Sequence, residues 1–262
     1  MPKLPLQQVH KNKHMHPLSN KLPLIPLAAW FLIALPLHTA ATTSADAMLD
    51  RVIAQLPATP IQASGTIFVR QRRGIPLKTY TFSLNANWQP PEPAITYTIQ
   101  HQQENLKQSL SFQPNSKELF SFRSGPDQIE APLPDLTANI AQTDISWLDL
   151  SLYFLWWRGA EQIGEDNVRG FHCYVIEVTA PENIPFQSYA KVRLWISSEQ
   201  GLLLQAQGFD EKNRPIRRFW VQSVRPIDDK WMIQTLEVQR TNQDQRTRLQ
   251  IDDVKTNASD NR

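Results

Sequence analysis

Between Lys191 and Val254 apolar and polar residues alternate through five successive segments: KVRLWIS, LLLQAQGFD, RPIRRFWVQSV, WMIQTLEVQR and QRTRLQIDDV. Turn-forming clusters separate them at Ser198–Gly201, Glu211–Asn213, Pro226–Lys230 and Thr241–Asp244. A period of two predicts an antiparallel meander. One face carries Val192, Leu194, Ile196, Phe219, Val221, Met232, Leu236, Val238, Leu249 and Ile251, and the other carries Arg193, Arg218, Glu237 and Arg248. A sheet of this length must bury its apolar face, so the rest of the chain has to cover it.

Upstream, ADAMLDRVIAQL (Ala45 to Leu56) places Ala47, Met48, Val52, Ile53 and Leu56 on one helical stripe, stopped by Pro57 and Pro60. Strands are predicted at Ala63–Arg70, Leu77–Leu84, Ala94–Gln100, Gln108–Phe112 and Glu118–Arg123, then at Gly164–Val168 and Phe171–Val178. Between these groups, Gly125–Asn139 reads as a proline-rich loop. Ser146–Trp157 (SWLDLSLYFLWW) reads as a helix apolar on nearly every side, opened by a capping box of Ser146 and Asp149. Such a helix belongs under cover. Ten to twelve strands with one apolar face and few helices imply a mainly β chain. The expected architecture is a strongly curved sheet or half-open antiparallel barrel, covered by the N-terminal helix and a central apolar lid helix, with room for one apolar ligand. On this reading the faces of the sheet and lid supply the candidate lining residues Trp147, Leu150, Tyr153, Phe154, Trp157, Val192, Leu194, Ile196, Leu204, Phe219, Val221 and Leu236.

Residues 1–40 differ in kind. Four lysines and no acidic residue precede the apolar run Leu22 to Leu37, and small residues follow at Ala40 and Ala41. This is the pattern of a signal peptide cleaved near Ala40, too short and too proline-broken for a comfortable membrane span. Met15 would start a leader of ordinary length, and an uncleaved anchor is the alternative. No cysteine lies near the cleavage position, which argues against lipidation of this chain itself. The expected organisation is a leader (1–40), one domain (45–255) and a flexible polar tail (256–262). Removing the four leader lysines from 27 basic residues leaves 23 against 25 acidic ones. That balance gives no concentrated positive footprint and argues against a nucleic-acid partner. Arg70, Arg72 and Arg73, and likewise Arg214, Arg217 and Arg218, read as solvated turn residues.

The residues offer little chemistry. Cys173 is the single cysteine, so no intramolecular disulfide forms. Its neighbour His172 points to the opposite face of an extended strand, so the two cannot act as a nucleophile and base. His101 and His172 are the histidines beyond the leader, too few for a histidine-built metal site. The paired acids Asp228-Asp229 and Asp252-Asp253 fall in a turn and near a strand end, where solvated carboxylates are common. No phosphate loop, nucleophile elbow or zinc signature occurs. The expectation is a protein without catalytic residues, metal or cofactor.

The order of helix, five strands, proline-rich loop, SWLDLSLYFLWW, NVRGFHCYVIEV, RLWISSEQGLLLQAQGFD and DDKWMIQTLEVQR resembles the outer membrane lipoprotein-sorting proteins, a LolA-like group, over roughly Met48 to Val254. The resemblance implies a half-open β-barrel with a helical lid over a hydrophobic cavity. It also implies a periplasmic, monomeric carrier of lipoprotein acyl chains or lipid, with an inner-membrane donor and an outer-membrane acceptor. In that group an arginine near the start of the sheet latches the lid; Arg70 and Arg72 lie in that region, and neither is assigned the role. A second reading is an envelope sensor or assembly factor that recognises lipidated proteins without transporting them.

Overall fold

A computed structural model describes residues 44–71, 74–89, 91–227 and 230–256. The leader, Met15, Arg72, Arg73, the Asp228-Asp229 pair and the tail beyond Thr256 lie outside the described residues.

Helix α1 (Ala45–Ala54) is followed by strands β1 (Ile61–Gln71), β2 (Pro76–Asn87), β3 (Ala94–His101), β4 (Leu106–Phe112), β5 (Phe120–Ser124) and β6 (Ile129–Ala131). The short helix α2 (Trp147–Ser151) and a 3-10 segment, Tyr153–Trp156, come next. Strands β7 (Glu161–Val168), β8 (Phe171–Thr179), β9 (Lys191–Ser197), β10 (Leu203–Phe209), β11 (Pro215–Ile227), β12 (Lys230–Arg240) and β13 (Gln245–Thr256) complete the described residues. All thirteen form one sheet, ordered β6-β5-β4-β3-β2-β1-β13-β12-β11-β10-β9-β8-β7, with antiparallel neighbours. Every strand pairs with its neighbour in sequence except at one seam, where β1 meets β13, and at the two free edges, β6 and β7. Those edges are consecutive in the chain, and the segment between them carries α2. The curved sheet therefore stays open where the lid segment crosses from one edge to the other.

Alternation builds the inner face. In β1, Ile61, Ala63, Gly65, Ile67 and Val69 are buried, while Gln62, Ser64 and Phe68 are exposed. The seam between β1 and β13 runs from Ile61↔Thr256 to Gln71↔Gln245, with a bulge at Ser64/Gly65. There the strands approach so closely that a Cβ on Gly65 would lie 2.1 Å from the Gln250 carbonyl oxygen. Glycine is the residue that permits this contact.

The structure corrects four details of the sequence reading. Strand β6 lies inside the segment read as a proline-rich loop. Helix α1 buries Ala45, Met48, Leu49 and Val52, whereas Ala47 is exposed; the stripe is rotated because Leu49 removes more apolar area from water than an alanine can. The segment Ser146–Trp157 is not one helix: Leu152, at φ 52°, takes the left-handed conformation and separates α2 from the 3-10 segment. The Ser151 hydroxyl supports the break by accepting from Tyr153 N (3.3 Å) and donating to Leu148 O (3.1 Å). Side chains on both sides of the break pack against both halves of the sheet: Trp147 and Tyr153 meet β5, while Asp149 and Phe154 meet β11. Finally, Arg70 and Arg217 are strand residues rather than solvated turn residues, as their partners below show.

Candidate functional site: an apolar cavity under a clasped lid

A cavity of about 130 Å³ lies between the sheet and its helical cover. Its walls are Phe82 and Leu84 on β2, Tyr97 on β3, Leu203 on β10, Met232 and Leu236 on β12, and Leu249 and Ile251 on β13. Leu150, Leu152 and Leu155 from the lid segment and Val52 from α1 roof it. Gln55, Leu56, Trp88, Leu202 and Trp231 also line it, and Trp231 is 40% exposed, which puts the mouth at the C-terminal end of α1. The volume is close to that of an engineered apolar cavity of about 150 Å³ that stays dry and takes benzene. That space accommodates a small apolar group, and it opens to one side at the mouth.

The cover is tied down at several points. At one end of α1, Asp46 accepts from Gly159 N (3.3 Å) and Ala160 N (2.9 Å), and Asp50 pairs with Arg158 at 2.7 Å. At the other, Arg51 donates to the Ser198 carbonyl at 3.0 Å and also to that of Glu199, while Gln55 donates to the Gln200 carbonyl at 3.1 Å. Helix α2 is held more deeply. Ser146 and Asp149 close the capping box foreseen in the sequence: Asp149 Oδ2 accepts from Ser146 N at 2.9 Å, and Ser146 Oγ accepts from Asp149 N at 3.2 Å. The same carboxylate lies 3.2 Å from Nη1 of Arg217, with side chains 3% and 2% exposed. Tyr189 donates its hydroxyl to Asp149 Oδ1 at 2.8 Å and accepts from Arg217 Nη1 at 2.8 Å. Arg217 also donates to the Thr137 carbonyl (3.0 Å) and to Asn139 Oδ1 (2.6 Å).

One buried guanidinium thus joins β11 to the lid helix and to the loop before it. Burial alone would make Arg217 a weaker base, but Asp149 and Tyr189 outweigh it and raise its pKa. Burial next to Asp149 likewise pushes the Tyr189 phenol up. Arg70 serves the other face: it pairs with Glu237, which also binds Arg248 at 2.7 Å and accepts from Gln222 at 3.2 Å.

The twelve residues named from sequence fall into three groups. Leu150 and Leu236 line the cavity. Trp147, Phe154, Trp157, Val192, Leu194, Ile196, Phe219 and Val221 are buried in the main core, and Tyr153 packs half-buried against it. There Phe154 lies against Phe219 with ring centroids 6.1 Å apart, and Trp147 meets Phe122 edge-on at 6.0 Å. Leu204 packs with Cys173, Val175 and Trp195 in a separate cluster. Its strand neighbour Leu203 faces the cavity, and a register shift follows between Leu203 and Gln205. Phe82, Leu84, Tyr97, Leu249 and Ile251 are wall residues not named as such from the sequence; Leu249 and Ile251 stand on the apolar face of the meander, and the same period of two in the strands of Phe82, Leu84 and Tyr97 is the signal that could have found the other three.

His172 and Cys173 do point apart. The thiol is buried, and burial raises its pKa; the imidazole is half exposed and contacts Glu165 (3.0 Å) and Ser198 (3.2 Å). Asp252 and Asp253 are exposed, and Asp252 accepts from Thr66 and Gln250 at 2.9 Å. Among the described residues no group of three or more His, Cys, Asp or Glu side chains is gathered as a metal site would require.

A family profile described as "Uncharacterized protein" matches residues 129–262. No curated protein matches the sequence. Several solved structures share the fold. A DUF1329 family protein from Desulfovibrio piger aligns with a TM-score of 0.68 at 16% identity, over 82% of this chain and 94% of that one. A putative outer membrane lipoprotein-sorting protein domain from Vibrio parahaemolyticus gives 0.67 at 11% identity, over 79% and 89%. A LolA superfamily protein from Nitrosomonas europaea gives 0.64 at 12% identity, over 82% and 94%. At these identities the likeness establishes the LolA-like half-open barrel.

Proposed function

We propose, for a chain that belongs to the family matched over residues 129–262 and has the LolA-like fold, that it is an exported, non-enzymatic carrier. Its load would be the acyl chains of a lipid or lipoprotein, taken between envelope membranes in the periplasm. The observation that carries this reading is the apolar cavity closed by a separately clasped lid. Each methylene moved from water into such a lining gains about 0.8 kcal/mol. Water therefore strongly opposes a free acyl chain and favours one that is covered. The cavity is smaller than a full acyl chain, so a long chain would enter by the mouth at Trp231 and displace Leu150, Leu152 and Leu155 with the lid. The name of the Vibrio parahaemolyticus neighbour, a putative lipoprotein-sorting domain, agrees with this cargo. On this reading the protein works as a monomer, receiving its load from an inner-membrane donor and releasing it to an outer-membrane acceptor.

The test is binding of a fluorescent fatty acid to the purified protein. Saturable binding is expected, lost in Leu236→Arg at the cavity wall and weakened in Trp231→Ala at the exposed rim, where folding is spared. Binding unchanged in both folded variants would refute the cavity as the site.

A further inference from the structure

The indoles of Trp88, half-buried, and Trp231, exposed, line the cavity, and one deeply buried polar side chain of its wall is also not taken up by the cover. Asp149 and Gln55 also border the cavity, but Asp149 is taken up by Ser146, Tyr189 and Arg217, and Gln55 by the Gln200 carbonyl. Tyr97 is different. It sits on β3 between Leu84 of β2 and Leu110 of β4, is 7% exposed, and lines the cavity beside Phe82, Leu84 and Leu249. Among the described residues no hydrogen bond reaches its hydroxyl; burial alone raises its pKa, with no partner acting on it. Tyr80 and Tyr189, the two other deeply buried tyrosines, both use theirs: Tyr80 accepts from Gln142 N at 3.3 Å, and Tyr189 bonds Asp149 and Arg217.

No partner among the described residues satisfies this hydroxyl, so whatever occupies the cavity, water or ligand, must do so. At a fully packed core position phenylalanine would fill the same space without that requirement. A phenol facing a largely apolar cavity is a donor awaiting an acceptor, and a bound ligand would supply one.

We infer that Tyr97 is the polar anchor of the cavity, donating its hydroxyl to the carbonyl oxygen of a bound acyl group. This rests on the carrier reading and sharpens it: the ligand is bound by its acyl carbonyl as well as by its hydrocarbon, so the protein selects acyl esters over bare hydrocarbon. A single neutral hydrogen bond suits a carrier, because it orients the load and is weak enough to release. No proton leaves the phenol. Its raised pKa keeps it a donor across the physiological range.

The experiment compares Tyr97→Phe with the parent protein by displacement of a bound fluorescent fatty acid, using methyl octanoate and nonane as competitors. The expected result is that nonane competes equally with both proteins, while the preference for the ester falls roughly three- to tenfold in the variant. Tyr97→Phe should melt at the same temperature as the parent or higher, because an unpartnered hydroxyl has been removed. An ester preference unchanged in the variant overturns the anchor and leaves the cavity reading intact. A marked fall in melting temperature also overturns it, since that would reveal an internal partner for the hydroxyl. If the fluorescent fatty acid does not bind the parent protein, the carrier reading fails and this inference falls with it.

Discussion

Replacing Arg217 by methionine keeps a side chain of similar length and flexibility beneath the lid but removes the guanidinium that faces Asp149. The carboxylate, 3% exposed, would then retain Ser146 and Tyr189 but no positive charge at 3.2 Å. Breaking a buried pair from one side costs about 3–5 kcal/mol, because the remaining charge stays desolvated without compensation. Arg217 also satisfies the Thr137 carbonyl and Asn139, so the upper part of that range is expected. For a domain of this size, about 2–4 °C per kcal/mol corresponds to a fall in Tm of roughly 10–20 °C. Urea unfolding should show the same loss with an unchanged slope. Asp149→Asn removes the orphaned charge while keeping an oxygen for the capping box. The double variant should therefore be about 1–3 kcal/mol more stable than the sum of the single losses. If Arg217→Met costs under about 1 kcal/mol, or the two losses simply add, the clasp between sheet and lid does not exist as described.

Two further outcomes follow from the sheet. Gly65→Ala would drive a Cβ to 2.1 Å from the Gln250 carbonyl oxygen and 3.0 Å from Ile251 Cα. It should cost at least about 1–3 kcal/mol by forcing β1 and β13 apart, and an unchanged Tm would show that the seam is looser than this. Burial works against ionisation of Glu177, but hydrogen bonds from Lys191 (2.8 Å) and Arg193 (2.9 Å) outweigh it and hold the carboxyl below its ordinary value. A depressed carboxyl stabilises the fold above its unfolded pKa of about 4.3, and that contribution is lost as the pH falls through the folded value. Glu177→Gln should accordingly be less stable than the parent at neutral pH, with the gap closing on acidification below about pH 4. A gap independent of pH would remove Glu177 from the electrostatics of the outer face.

The meander from Lys191 onward was legible because each strand keeps period two and each break carries turn residues. Its five strands appear within a few residues of the boundaries read from sequence. The same parity also placed Arg217 with Phe219 and Val221 on the inner face, but its charge and the neighbouring Arg214 and Arg218 suggested a solvated turn. In the lid segment, an unbroken apolar run gives no sign of the left-handed Leu152, since apolar periodicity does not register the local hydrogen bonds of Ser151 that support the break. Lining residues were harder for a related reason. Alternation tells which face a side chain occupies, not whether a covering side chain fills the space above it. Phe219 is covered by Phe154 and so belongs to packed core. Leu236, on the neighbouring strand and the same face, borders open space.

Native mass spectrometry of the protein isolated from its own cell envelope tests the carrier claim most directly. A carrier should show a population with an acyl-containing mass that organic extraction releases, and that is missing from Leu236→Arg prepared in parallel. A parent protein that emerges folded, clasped and empty under conditions that preserve apolar ligands would contradict it.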